Sequence, residues 1–302
     1  MPDHNLPEGF RRTVRGAFPE GAAWLESLPS LIEECERRWH VRIAEESFEL
    51  SFNYVAPALT AQGRDVVVKI GVPRPELESE IRTLRVYAGG AAVELLDADE
   101  QQGMLLLERV RPASKLSDAV DDDQATVIAA RVMRDLWRPL PAGHTFPAAA
   151  HWAAGLRRLR RRFDGGTGPF DARLVETAEA LFEELPASAA PAVLVHGDLH
   201  HFNILSATRR SWLAIDPKGL AAEPAYDVGA LLRNPSPDLY LNSAVQQRRV
   251  ELLAAELGLD RHRVAGWGVA QAVLSAWWHY EEGGAGWGSA VACAETLMRL
   301  LP

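Results

Sequence analysis

The spacing of hydrophobic and polar positions changes twice along the chain. Over residues 20–40, Trp24, Leu28, Leu31 and Ile32 fall on one face, the repeat of an amphipathic helix. Residues 48–60, "FELSFNYVAPALT", are rich in aromatic and β-branched side chains and alternate loosely. The polar turn "AQGRD" and the run "VVVKI" (66–70) follow. Two such runs joined by a short polar turn predict a hairpin. Residues 73–87 begin with prolines and acids and continue with Leu77, Ile81, Leu84 and Tyr87, which predicts a helix. Residues 91–110 read as two more strands around a turn at 101–103.

Beyond Arg111 and Pro112 helical spacing dominates. Helices are predicted over 121–140, 146–163, 171–185, 224–232, 243–257, 260–281 and 289–301; the second carries Trp152, Leu156, Leu159 and Phe163 on one stripe. The short apolar runs "AVLVHGD" and "WLAIDP" read as strands beside a loop-rich site. No internal repeat or long linker interrupts the chain. The pattern predicts an α+β protein of two lobes. Residues 1–110 form a small β-rich lobe with one key helix and an N-terminal helical extension. Residues 111–302 form a larger, mainly helical lobe.

Composition narrows the partners. The 302 residues carry a formal net charge of −9, which argues against nucleic acid and tolerates a cationic small molecule. The basic run "RRLRRRF" (157–163) has apolar partners at helical spacing, so it reads as the solvated face of a helix. The acids "DDD" (121–123) suit a helix N-terminus. Cys35 and Cys293 are the only cysteines and supply neither a disulfide framework nor a zinc pattern, in keeping with a reducing compartment. "MPDHNLPEGFRR" lacks an apolar segment and no run of 18 apolar residues occurs. A cytoplasmic protein without a membrane partner is expected; oligomeric state is not readable.

Candidate chemistry concentrates in "VLVHGDLHHFNILSATRRSWLAIDP" (193–217). Its histidines, His196, His200 and His201, do not form HExxH, and no cysteine assists them. A hydrolase would want a GxSxG elbow, which is absent. Phosphoryl transfer fits better. That chemistry needs a carboxylate to position and deprotonate a hydroxyl, and hard oxygen ligands for Mg²⁺. Asp198 suits the first task. Asn203, five residues on, and Asp216, at the end of "WLAID", suit the second. The Asp198 to Asn203 spacing matches the kinase loop pattern H-R-D-x-x-x-x-N, and Asp216 stands where a DFG aspartate would.

"HGDLHHFNIL" followed by "LAIDP" resembles the catalytic loop of aminoglycoside phosphotransferases and related antibiotic kinases. "SFNYVAPAL", "VVVKIGVPRPELESEI", "LLDADEQQGMLLLERV" and "IDPKGLAAEPAYDVGALLRNP" resemble the streptomycin 6-kinase and hydroxyurea phosphotransferase branch, over roughly residues 45–235 and in the family order. The resemblance implies a protein-kinase-like fold and ATP-dependent, Mg²⁺-assisted phosphorylation of a small-molecule hydroxyl. Lys69 becomes the phosphate-contacting lysine and Glu80 its ion-pair partner, with Glu76 and Glu78 as competing candidates. Leu107, Glu108, Arg109 and Val110 take the place of the segment that binds adenine through backbone groups. Asp198 is the implied base, and Asn203 and Asp216 the implied metal ligands. Asp227 braces the loop, and His196 packs and hydrogen-bonds within it. In this branch the C-terminal helices line the acceptor site, which makes Trp278, Glu281, Glu282 and Arg233 candidates for binding a cationic acceptor.

The chain departs from the family at three points. No glycine occurs from position 48 to 59, so either the small residues Ser51, Ala56 and Ala58 cover the phosphates or ATP is held more loosely. Phe202 stands where many relatives carry glycine. Pro217 follows Asp216, so a DFG-type flip is not expected. Two other functions share much of the same sequence. One is a metabolic sugar or amino-alcohol kinase of the same fold. The other is a nucleotide-binding pseudokinase with a regulatory role, suggested by the missing glycine loop.

Overall fold

The structure is a computed structural model that describes residues 6–284 and 286–301. Two compact units divide the chain, one running to Arg111 and the other starting at Pro112. In the first unit α1 (Glu8–Ala17) and α2 (Gly21–Trp39) precede β1 (Val41–Ile43), β2 (Tyr54–Thr60) and β3 (Asp65–Ile70). Then come α3 (Pro75–Tyr87), β4 (Leu95–Asp99) and β5 (Met104–Glu108). The strands form one antiparallel sheet in the order β1-β2-β3-β5-β4.

β3 shows how the pattern becomes structure. Side chains alternate across a strand, so Val66, Val68 and Ile70 join Tyr54, Ala56 and Met104 against Phe10, Trp24, Leu28 and Ile32 of the two leading helices. Val67 and Lys69 belong to the opposite face. That face meets α3, whose Pro75 and first-turn acids Glu76 and Glu78 are the expected start signals.

The expected strand over 48–60 begins only at Tyr54, and β1 was not anticipated, because three residues are too few to show a period. The glycine-free stretch is therefore divided between the end of the β1–β2 connection, residues 44–53, and β2 itself. Ala56 and Ala58, offered in one of the two alternatives as a cover for the phosphates, are packed into the sheet, and of the three small residues only Ser51 lies in the connection. The connection is held by rings: the Arg109 guanidinium sits 4.4 Å from the Phe48 ring centroid, and Phe52 meets Phe18 edge-on.

The second unit begins with β6 (Pro112–Lys115), α4 (Leu116–Ala119), α5 (Asp122–Leu136) and β7 (Arg138–Pro139). Next come α6 (Ala149–Trp152), α7 (Ala154–Arg162), α8 (Ala172–Ala187) and β8 (Val193–Val195). β9 (Ile204–Ala207), β10 (Trp212–Ala214), β11 (Leu220–Ala222) and α9 (Val228–Leu232) follow. The unit ends with α10 (Pro237–Tyr240), α11 (Ser243–Leu257), α12 (Arg261–Glu281) and α13 (Trp287–Met298). Two small sheets, β10-β9-β6 and β11-β8-β7, frame the loop-rich region.

The helical core centres on α12, buried continuously from Val264 to Trp277. Gly268 admits it closely to its neighbours: a Cβ there would lie 2.9 Å from Leu232 and 3.0 Å from Leu297.

Two predicted helices are shorter than expected. The 121–140 helix stops at Leu136, where Trp137 turns to extended backbone ahead of Pro139. The 146–163 helix breaks at Ala153 into α6 and α7. Asp121 caps α5 by accepting the Gln124 N–H at 2.9 Å, while Asp122 and Asp123 pair with Arg249 and Arg248. Among the described residues no helix is long and apolar enough to cross a membrane.

Candidate active site

Lys69 and Glu80 are both buried, and the lysine Nζ donates to Glu80 Oε1 at 2.6 Å. An ammonium out of water needs such a partner. The other candidate acids are turned elsewhere: Glu78 pairs with Arg82 one helical turn on, and Glu76 lies 3.8 Å from Arg74. Breaking a buried pair from one side typically costs about 3–5 kcal/mol, since the remaining charge stays buried.

In the second unit, β8 leads into the loop that carries Asp198. The Gly197 backbone has a φ of 86°, a conformation that favours glycine and turns the chain sharply after His196. A short helical turn over His201–Asn203 then leads to β9. β9 pairs with β10 in a register that sets Ile204 opposite Ala214. Continuing that register, the Ile215 N–H donates to the Asn203 carbonyl at 3.0 Å. Asn203 and Asp216 therefore flank the same open end of a hairpin, although twelve residues intervene in sequence. The Asn203 Nδ2 donates to the Asp198 carbonyl at 3.1 Å, tying the third residue into the same turn. Asp216 has a left-handed φ of 57°, uncommon for a residue with a side chain and best tolerated by Asn and Asp.

His196 locks the loop from inside. Its Nδ1 accepts the Asp198 N–H at 3.2 Å, which leaves the proton on Nε2 to be donated to the Ile215 carbonyl at 2.9 Å. Burial pushes its pKa down, consistent with a neutral ring in this tautomer. The Lys218 and Gly219 N–H groups donate to the His196 carbonyl, joining the 196–198 turn to the 216–219 turn.

Asp227 holds the same turn from behind. Oδ1 accepts the Gly197 N–H at 2.7 Å, and Oδ2 accepts the His196 N–H and the Trp137 Nε1–H, each at 3.1 Å. Burial pushes the Asp227 carboxyl up, while the three donors and the nearby His196 oppose that shift. For Asp198 the balance falls the other way. Burial alone would raise its pKa, but the neighbouring His200, Arg233, Lys218 and His196 outweigh it and hold the carboxyl below the usual carboxylate value.

The other predicted residues fall in several places. Glu108 ends β5 opposite Val66, its N–H donating to the Glu94 carbonyl, and Val110 lies buried just past the strand. Arg233, expected near an acceptor, contacts Asp198 directly: Nη2 donates to Oδ1 at 3.1 Å. Trp278 packs edge-on against Trp152, with ring centroids 5.1 Å apart. Glu281 is gripped by both arms of Arg158, at 2.8 and 2.9 Å, beside a cavity of about 730 Å³ also lined by Arg161, Arg162, Tyr280 and Trp287. Arg158 already offsets the Glu281 charge, and Arg161 and Arg162 line the same cavity. Glu282 is exposed at the end of α12.

The sequence reading missed the Trp137 and Arg233 contacts. Trp137 lies 90 residues from Asp227, and Arg233 lies 35 residues from Asp198, so no local motif links either pair.

A lysine clamped by a helix glutamate on a central antiparallel strand, with an aspartate-bearing loop inside a mainly helical second unit, defines the protein-kinase-like class. Solved structures agree on the fold. Choline kinase from Streptococcus pneumoniae aligns over 91% of this chain and 99% of its own, with a TM-score of 0.62 at 14% identity. An aminoglycoside phosphotransferase in ternary complex with ADP and hygromycin B aligns over 90% and 97%, with a TM-score of 0.61 at 12% identity. Within that class, the chain belongs to the aminoglycoside/hydroxyurea antibiotic resistance kinase family, whose sequence model matches residues 38–283. Streptomycin 6-kinase of Streptomyces glaucescens is 34% identical over 285 residues, covering 93% of this chain and 92% of the relative.

Proposed function

We propose that this protein transfers the γ-phosphoryl group of ATP to a hydroxyl of a small molecule of the streptomycin or hydroxyurea type. The observation that carries this reading is the hairpin register that brings Asn203 and Asp216 together beside the Asp198 turn. Asp198 orients the acceptor hydroxyl and takes its proton as the new O–P bond forms and the bond to ADP breaks. Lys69, held by Glu80, contacts the α- and β-phosphates. Backbone groups of Glu108 and Val110 receive adenine. Asp227 and His196 keep the loop in shape.

The donor set fits Mg²⁺. That ion takes one or two side-chain oxygens and completes its shell with phosphate and water, and Asn203 and Asp216 offer one amide and one carboxylate. When bound there it neutralises charge on the β- and γ-phosphate oxygens. The protein acts in the cytoplasm, where ATP is available, with no nucleic-acid or membrane partner.

An amino-alcohol kinase is the second reading, favoured by the choline kinase likeness in fold. A pseudokinase role is opposed by the intact Lys69–Glu80 pair. The deciding experiment incubates the protein with ATP, Mg²⁺ and, separately, streptomycin, hydroxyurea and choline, and reads the mass of one added phosphoryl group. Phosphorylation of streptomycin or hydroxyurea is expected, and Asp198→Ala is expected to lower kcat by about 10²–10⁴-fold. Phosphorylation of choline alone, or an Asp198→Ala variant within a few-fold of the parent, overturns the reading.

A further inference from the structure

α9 is only five residues long, and both of its ends act on the same loop. The residue before it, Asp227, takes the N–H groups of His196 and Gly197. The residue after it, Arg233, donates to the side chain of Asp198. Arg233 is well anchored for that contact. The next carbonyl, of Asn234, accepts from Arg249 Nη1 at 2.7 Å; Arg249 is fully buried and ion-paired with Asp122. The Arg233 side chain is 17% exposed, and its Nη1 has no hydrogen-bond partner among the described residues. The other Asp198 oxygen, Oδ2, faces His200 Nε2 at 3.9 Å, too far for a direct hydrogen bond.

We propose that Arg233 is a positioning residue for phosphoryl transfer: it holds Oδ1 of Asp198 so that Oδ2 points to the acceptor hydroxyl. The inference rests on the reading of Asp198 as the base. In the transfer, the acceptor oxygen forms a bond to the γ-phosphorus, the bond from that phosphorus to the ADP oxygen breaks, and the hydroxyl proton passes to Oδ2. Arg233 stays protonated on Oδ1 throughout and touches neither substrate. Its effect is orientation, which belongs in kcat rather than in nucleotide binding.

The test compares Arg233→Met, Arg233→Gln, Arg233→Lys and Arg233→Ala with the parent protein, using the acceptor that the parent phosphorylates. Arg233→Met and Arg233→Gln are expected to lower kcat by about 10²-fold, the scale of a misplaced catalytic group, with KM for ATP within about threefold of the parent. Arg233→Lys is expected to recover about tenfold of that loss, since a point charge replaces a planar fork imperfectly. Added guanidinium at millimolar concentration is expected to raise kcat of Arg233→Ala and leave the parent unchanged. In an Asp198→Asn background, Arg233→Gln is expected to cost no more than a few-fold, because the oriented carboxylate is already gone.

A parent protein that phosphorylates no acceptor overturns the functional reading, and this inference with it. An active parent whose Arg233→Gln keeps kcat within threefold overturns the inference alone. So does an equal loss of kcat and ATP affinity with no rescue by lysine or guanidinium, the mark of a merely structural role. Should Arg233→Met fail to fold, the glutamine and lysine variants carry the comparison.

Discussion

Cys35 and Cys293 show how burial changes chemistry one residue at a time. Both are free and fully buried, and loss of solvation pushes each thiol up to about 12. At pH 8 the thiolate fraction is then on the order of 10⁻⁴, against roughly a quarter for an ordinary thiol. The folded protein is therefore expected to resist iodoacetamide at pH 8, and to take up two equivalents once unfolded in urea. Mass spectrometry before and after urea reads both; prompt labelling of the folded chain would show that at least one thiol is accessible. Because the folded thiols titrate higher than unfolded ones, their contribution to stability falls as pH rises from about 9 toward 12.

Single residues also show what the sequence could reveal. Asp198, Asn203 and Asp216 stood out because they are contiguous in one short stretch, which the structure folds into one turn region. Glu80 was preferred to Glu76 and Glu78 from its helix face and family-like surroundings, and the structure pairs the other two with Arg74 and Arg82. Arg233 was named as an acceptor-site candidate, and its contact with Asp198 was not foreseen. An arginine next to "NP" does not announce that it will reach a carboxylate 35 positions earlier.

At the scale of elements, long helices were readable, and the apolar runs that become β8 and β10 were too, but β1 was not. α12 carries 14 consecutive buried residues, far more than any local turn preference could mimic. β1 has three residues, less than two alternations, and no apolar run to mark it, so only its pairing with β2 defines it. The helix breaks at Trp137 and Ala153 follow local backbone chemistry that a search for apolar spacing overlooks.

α9 depends on its packing in the same way. A methyl group at Gly229 would collide with the Gln271 side chain, which cannot simply swing away because its Nε2 donates to the Tyr226 carbonyl at 2.6 Å. Gly229→Ala is expected to lower unfolding free energy by about 1–3 kcal/mol, measured by urea titration. It should also lower transfer activity at temperatures where the variant is still folded, since α9 holds both Asp227 and Arg233. A variant with parental stability would mean that α9 and α12 have room to adjust.

For the whole molecule, the protein-kinase-like fold was legible because five motifs follow one another in the family order, which no single motif could establish. The through-space contacts were not, since they depend on how the helical unit closes on itself. Charge adds a property that belongs to the entire chain. With a net charge of −9, the surface attracts cations at long range, and salt weakens that attraction. For a cationic acceptor, kcat/KM is expected to fall several-fold as sodium chloride rises from about 20 to 300 mM, whereas for a neutral acceptor it should change little. Steady-state rates across that range, at fixed ATP and Mg²⁺, separate the two. Equal sensitivity for both acceptors would assign the salt effect to the nucleotide side.

The left-handed backbone at Asp216 has a consequence for mutational tolerance. Two separate demands meet at this position: a carboxylate for the proposed metal site and a conformation that most side chains resist. Glycine and asparagine meet the second without the first, whereas valine and isoleucine meet neither. Glutamate keeps the charge but loses the backbone preference along with the reach. In a library of all substitutions at 216, soluble yield and phosphorylation should therefore rank the variants differently. Glycine and asparagine should accumulate as inactive protein, and glutamate should do poorly by both measures. A position that looks permissive when abundance is scored would look invariant when turnover is scored.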